Sequence, residues 1–95
     1  MSRGEAITVL KLCTSLSAEF DAAAKRVTEL SDSFYELEET FGLIKYSASD
    51  DIKTFCLRKM LEKATSFTEA KRTYDACSSG SNVQSEAIMR MLELT

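Results

Sequence analysis

From Glu5 to Phe41 the chain sets an apolar side chain every three or four residues: Ala6, Val9, Cys13, Leu16, Phe20, Ala23, Val27, Leu30, Phe34, Leu37 and Phe41. Alternating steps of three and four keep a stripe on one side of a helix, and a sustained run of them is a heptad seam for a partner helix. Nothing in the stretch interrupts it. The chain has no proline and only three glycines, Gly4, Gly42 and Gly80. Proline would remove a donor and clash with the preceding turn, and glycine would surrender conformational entropy, so their scarcity permits long helices. An all-β or α/β fold needs turn signals roughly every ten residues, and these are missing. The pattern predicts an all-α fold.

The spacing predicts a first helix over 5–41, a rod of roughly 55 Å at 1.5 Å per residue, closed by Gly42 as a left-handed cap. Phe alternates with Ala along the seam, and Ser17, Ala24 and Ser31 flank it. Small flanks let helices approach closely, which favours antiparallel bundle packing over a parallel zipper. A second helix over 49–77 opens at Ser47 or Ser49, with Asp50 and Asp51 in its first turn, where the helix dipole favours negative charge. Its apolar side holds Ile52, Phe55, Cys56, Met60, Phe67, Ala70, Tyr74 and Cys77, widened by Leu57, Leu61 and Ala64. Residues 78–82 have the small polar character of a turn. A third helix over 82–94 then carries Val83, Ala87, Met91 and Leu94, with Ile88 and Leu92 beside them. The expected architecture is one domain over 1–95: an elongated antiparallel helical hairpin plus a short third helix, a coiled-coil-like three-helix bundle. The last helix finishes on apolar residues without a breaker, so the chain is expected to be a piece of a longer one. No repeat with a period of 20 to 50 residues is visible, which argues against a solenoid.

Ninety-five residues with 44% apolar and 28% charged composition suffice for one folded domain and not for two. The net charge of -3 opposes general nucleic-acid binding. No apolar run approaches the roughly 18 residues of a membrane span, and the N-terminus lacks the apolar core of a signal peptide, so a cytoplasmic location is expected. The cysteines Cys13, Cys56 and Cys77 fit reduced thiols. Residues 1–41 hold four bases against eight acids and 42–77 seven bases against five acids, a complement that would guide antiparallel pairing.

Chemistry has few footholds. Histidine is absent, which removes the commonest general base and metal ligand. The cysteines are far apart and read as core packing, and glycine is too sparse for a phosphate-cradling loop. Glu36, Glu38 and Glu39 point in directions about 100° apart per step and cannot converge on one ion, so they read as a solvated face. Arg58, Lys59, Lys63, Lys71 and Arg72 scatter around the second helix, with Arg58 and Glu62 at the spacing of an i,i+4 pair. No enzyme activity and no cofactor is expected. The tip Leu43-Ile44-Lys45-Tyr46 is unusual in placing three apolar side chains at a turn, either folded back on the helix ends or exposed to a partner or membrane.

The run Phe67-Thr68-Glu69-Ala70-Lys71-Arg72-Thr73-Tyr74-Asp75-Ala76 resembles a basic-pair and aromatic-Asp pattern in a long helix of BAR-domain proteins. Leu12-Cys13-Thr14-Ser15-Leu16 and Ser31-Asp32-Ser33-Phe34-Tyr35-Glu36-Leu37 look similar to that family's first helix. The resemblance implies a helical dimer that senses or shapes curved anionic membranes, as in membrane trafficking, through bases such as Lys71 and Arg72. BAR helices are longer and richer in base than this acidic chain. The leading expectation is therefore a protein-protein interaction or scaffold module that dimerises or docks into a larger helical assembly. Its seam is Val9, Leu16, Phe20, Val27, Leu30, Phe34, Leu37 and Phe41; the alternative is peripheral membrane binding, with Leu43, Ile44, Tyr46, Lys71 and Arg72 as contacts. The partner is a protein or a second copy, with a homodimer favoured.

Overall fold

Serine punctuates this chain. Six helices make up the computed structural model, which describes all residues 1–95: α1 Arg3–Leu12, α2 Ala18–Glu29, α3 Phe34–Ile44, α4 Asp50–Lys63, α5 Phe67–Ala76 and α6 Asn82–Glu93. Each is preceded by a serine in extended backbone: Ser2, Ser17, Ser33, Ser49, Ser66 and Ser81. An extended N-cap serine turns its hydroxyl back to accept from the third helical amide, satisfying a donor the helix itself leaves open. The Ser2, Ser17, Ser33, Ser66 and Ser81 hydroxyls do so; Ser49 does not. We expect Ser66→Ala to cost about 1 kcal/mol and Ser49→Ala close to nothing in urea unfolding. Equal losses at the two sites would show that the caps are not what starts these helices.

The all-α expectation holds, and the single long rod does not. The 5–41 segment is three helices. It is broken first at Thr14-Ser15-Leu16-Ser17, where Leu16 takes a left-handed φ of 64°. A second break follows Leu30, where Ser33 starts α3. The 49–77 segment is likewise broken, after Lys63, by the Ser66 cap. Gly42 lies inside α3 and caps nothing, whereas Gly80, at φ 77°, supplies the left-handed turn before α6. The third helix stands within a residue of expectation. In place of a 55 Å rod the molecule measures 41 × 26 × 14 Å.

The six helices form three successive hairpins, α1–α2, α3–α4 and α5–α6, stacked in a row. The second helices α2, α4 and α6 stand side by side with α4 in the centre, and the first helices lie against their own partners. Ser2, Ser33 and Ser66 are 31 and 33 residues apart, and each is followed three residues on by Glu5, Glu36 or Glu69. The expectation that no 20–50-residue period exists is therefore overturned. Its signal sits in the caps, because the apolar residues between them vary in size and hide it.

Each glutamate accepts a backbone amide at the helix entry: Glu5 from Ser2, Glu36 from Asp32 and Glu69 from Thr65. Gln84 does the same for Gly80. The core falls into two clusters that follow the stacking. Leu10, Phe20, Ala23, Ala24, Ile44, Ala48 and Cys56 fill the junction of the first two hairpins. Phe34, Leu37, Leu57, Met60, Leu61, Ala64, Ala70, Val83 and Ala87 fill that of the second and third. Phe41 packs against both.

Polar ties reinforce the first junction. The Arg3 guanidinium donates to Ser31 Oγ at 2.9 Å, to the Glu36 carbonyl at 2.8 Å and to Thr40 Oγ1 at 3.0 Å. Ser31 and Thr40, both buried, share a hydroxyl–hydroxyl bond of 3.1 Å. The Ser49 amide donates to Asp21 Oδ1 at 2.9 Å, and the Leu16 amide to the Ser47 carbonyl at 2.9 Å.

Candidate interaction surfaces

A stacked row of hairpins leaves its two ends without a neighbour. In the second helices, adjacent pairs, apolar but for Thr28, recur four residues apart: Ala23-Ala24 with Val27-Thr28 in α2, Cys56-Leu57 with Met60-Leu61 in α4, and Ala87-Ile88 with Met91-Leu92 in α6. A spacing of four returns to the same helix face, so each pattern is a two-residue-wide stripe. All eight residues of α2 and α4 are buried. In α6, Ala87 is buried against α4, whereas Ile88 and Leu92 are 44% and 63% exposed. The second member of each pair faces the following hairpin, and α6 has none. Met89 on α6 and Phe67 on α5 are exposed as well.

The opposite end is a groove of about 420 Å³ between α1 and α2. Ala6 and Ala23 form its floor, Val9, Cys13 and Ala22 its walls, and Glu19 and Arg26 its polar margin. Val9 lies seven residues after its cap, as do Thr40 and Thr73 in α3 and α5. Those two are completely buried, Thr40 against Ser31 of the preceding hairpin, whereas Val9 is 41% exposed.

Of the eight seam positions, Phe20, Val27, Phe34 and Leu37 are buried inside the monomer, and Leu30 and Phe41 are partly so. They hold hairpins together within one chain and present no continuous face to a second. Leu16 is 76% exposed at its turn and Val9 lies in the end groove, so the eight do not form one stripe. At the tip, Ile44 is fully buried in the first core cluster, which removes it as a contact. Tyr46, 84% exposed, and Leu43 remain outside. Lys71 and Arg72 both have carboxylate partners: Lys71 Nζ lies 2.8 Å from Asp75 Oδ1, and Arg72 donates to Glu38 on α3. The three acids read as a solvated face disperse to separate tasks, Glu36 at a helix entry, Glu38 on Arg72 and Glu39 on Arg3. Arg58 passes over Glu62 and pairs with Glu86 of α6 at 2.9 Å. That hydrogen bond, and then the Glu86 charge, raises the guanidinium pKa further.

Ile88 and Leu92 are placed on an apolar helix face by the sequence alone, whereas Met89, Ala22 and Arg26 are not. Adjacent apolar pairs at four-residue spacing were the available signal, since one-sided packing needs only one of each pair.

No side chains converge as a set that would hold a metal ion. No helix is long and apolar enough to cross a membrane. Neither a protein-family model, nor a curated protein, nor a solved structure matches the chain.

The buried thiols predict an alkaline weakness. Desolvation raises Cys56 from the ordinary 9.0 to about 11, against a smaller opposing hydrogen bond with Thr28. Burial, then the Glu86 charge, raises Cys77 to about 11. A raised thiol pKa means the fold prefers the neutral form. The benefit is fully present below pH 9 and is lost as pH climbs towards 11, because the unfolded chain ionises first. Unfolding free energy should be insensitive to Cys56 below about pH 8 and fall by about 2 kcal/mol through this window. A Cys56→Ala variant with an unchanged alkaline limb would refute that origin.

Proposed function

We propose that this chain is a non-enzymatic helical interaction module that docks other helices onto the uncovered ends of its hairpin stack. The observation that carries the reading is the α6 stripe. Leu57 and Leu61 of α4 are sealed by the next hairpin, while the corresponding Ile88 and Leu92 stand in water. Burying the part of Ile88 and Leu92 that remains exposed contributes about 1 kcal/mol or more each, which favours association. Contiguous apolar patches on soluble domains commonly mark such contacts.

A solvatochromic apolar dye tests the reading together with sedimentation equilibrium. The folded protein should bind the dye, associate with concentration, or both, and Leu92→Glu should diminish the response. A monomer at every concentration that leaves the dye dark sinks the proposal.

Contact with an anionic membrane surface is a second reading, favoured by exposed Tyr46 and Leu43 beside Lys45 at the α3–α4 turn. Lys71 and Arg72 contribute less to it, each being neutralised by an acid. Anionic phospholipid vesicles at low salt should then pellet the protein, and Tyr46→Ser should release it. Failure to pellet under those conditions removes the membrane reading.

A further inference from the structure

The two ends of the stack are complementary to each other, and the geometry points to a second copy of this chain as the occupant: copies stack head to tail, the α6 stripe of one seated in the α1–α2 groove of the next. The inference rests on the docking function proposed above and names its partner.

Inside the chain hairpins are joined twice, and each time the second members of the residue pairs in one hairpin pack towards the next. The donor side is the second member of the pairs, Ala24 and Thr28 at the first junction, Leu57 and Leu61 at the second. Ile88 and Leu92 repeat that side at the free end of α6, seven and eleven residues after the Ser81 cap, as Ala24 and Thr28 are after Ser17; Leu57 and Leu61 fall one place later, eight and twelve residues after Ser49. On the acceptor side, Ala70, Cys77 and Ala87 of the third hairpin pack in the cluster that contains Leu57 and Leu61. Ala6, Cys13 and Ala23 hold the same positions in the first hairpin, and all three line the empty groove. Val9 is open there, whereas its counterparts Thr40 and Thr73 are completely buried, Thr40 against Ser31.

A polar contact at the second junction has a counterpart position in the first hairpin, whereas Arg58, nine residues after Ser49, pairs with Glu86 instead. Arg90, nine residues after its cap, donates through Nη2 to the carbonyl of Ala64 at the end of α4, 2.7 Å away. Arg26 is nine residues after Ser17 and stands half exposed at the groove margin. In the stack it reaches the last carbonyls of the neighbouring copy's α6, where a helix terminus lacks partners and favours a cation. Because the two surfaces differ, the contact is heterologous, and copies add without closing unless the rotation returns to its start.

Velocity sedimentation from micromolar to millimolar protein decides the matter with two single variants. The wild-type chain should rise with concentration above its monomer mass of 10.6 kDa. Val9→Glu spoils the groove and Leu92→Glu the stripe, and each should weaken association roughly tenfold or more. An equimolar mixture of the two should restore a species of twice the monomer mass, since Val9→Glu retains its stripe and Leu92→Glu its groove. Both positions face solvent, and unchanged helical circular dichroism confirms folding; Ala22→Glu and Ile88→Glu are the substitutes if it is lost. A mixture that stays monomeric overturns head-to-tail stacking, as does a Val9→Glu variant that associates like wild type through α6 alone. A wild-type monomer that still lights the apolar dye overturns self-stacking and leaves the docking function standing. One that does not overturns both.

Discussion

Leu37→Ala is expected to destabilise the protein by about 3–4 kcal/mol, which for a domain of this size lowers the melting temperature by roughly 12–32 °C. Leu37 is completely buried in α3, clustered with Phe34, Leu57 and Met60, and its carbonyl accepts from Cys56 Sγ. The middle hairpin is gripped from both sides, so a cavity left there has little freedom to collapse, and its cost approaches the upper part of the range for such truncations. Domains like this one hold about 5–15 kcal/mol in total, so one truncation removes a substantial share. Urea and thermal unfolding give the number. A loss below about 1 kcal/mol would mean that Leu37 does not sit at a packed junction.

Arg3→Ala is expected to cost about 2–3 kcal/mol, far more than Arg58→Ala, although Arg3 meets Glu39 through one bond and Arg58 holds both carboxylate oxygens of Glu86. The difference is where the bonds lie. Arg58 and Glu86 are about half exposed, and such pairs contribute about 0–1 kcal/mol. The Arg3 side chain is mostly buried, and beyond exposed Glu39 it satisfies the Glu36 carbonyl and the Ser31 and Thr40 hydroxyls. Its loss leaves buried acceptors short of a donor, which is the expensive outcome. Glu39→Gln should therefore be mild and Arg3→Lys only a partial rescue, because an ammonium cannot span the same fork of acceptors. Equal losses at Arg3 and Arg58 in urea unfolding would contradict this placement.

The helical class was legible in the sequence, and so was α6 with its Gly80 turn, because backbone propensity and a glycine marker agree there. What misled was the three-four spacing over 5–41. Cys13, Leu16 and Leu30 carry that rhythm straight across two chain reversals, although Cys13 and Leu30 are helix C-caps and Leu16 a strained turn residue. Apolar periodicity reports which side of a helix is buried and is silent on whether the helix continues. Serine was the true boundary marker, at intervals of 15 to 17 residues, and it is easily overlooked because an isolated serine is tolerated inside helices. Side-chain partners such as Arg58–Glu86 or Arg72–Glu38 join residues 28 and 34 positions apart and follow only from the stacking. The candidate surface was half visible: Ile88 and Leu92 could be placed on an apolar face, but which face lacks a cover depends on the neighbour each hairpin meets.

Burial is shared unequally along the row. Ten of the 22 buried residues belong to the middle hairpin and its connections, but only Ala70, Thr73, Val83 and Ala87 belong to the last. Opening in such arrays proceeds unit by unit from the least secured end, so α5–α6 should detach and exchange its amide hydrogens first, ahead of global unfolding. An occupant of α6 therefore acts on the weakest unit of the molecule, and by mass action resistance to proteases would rise with that occupant's concentration.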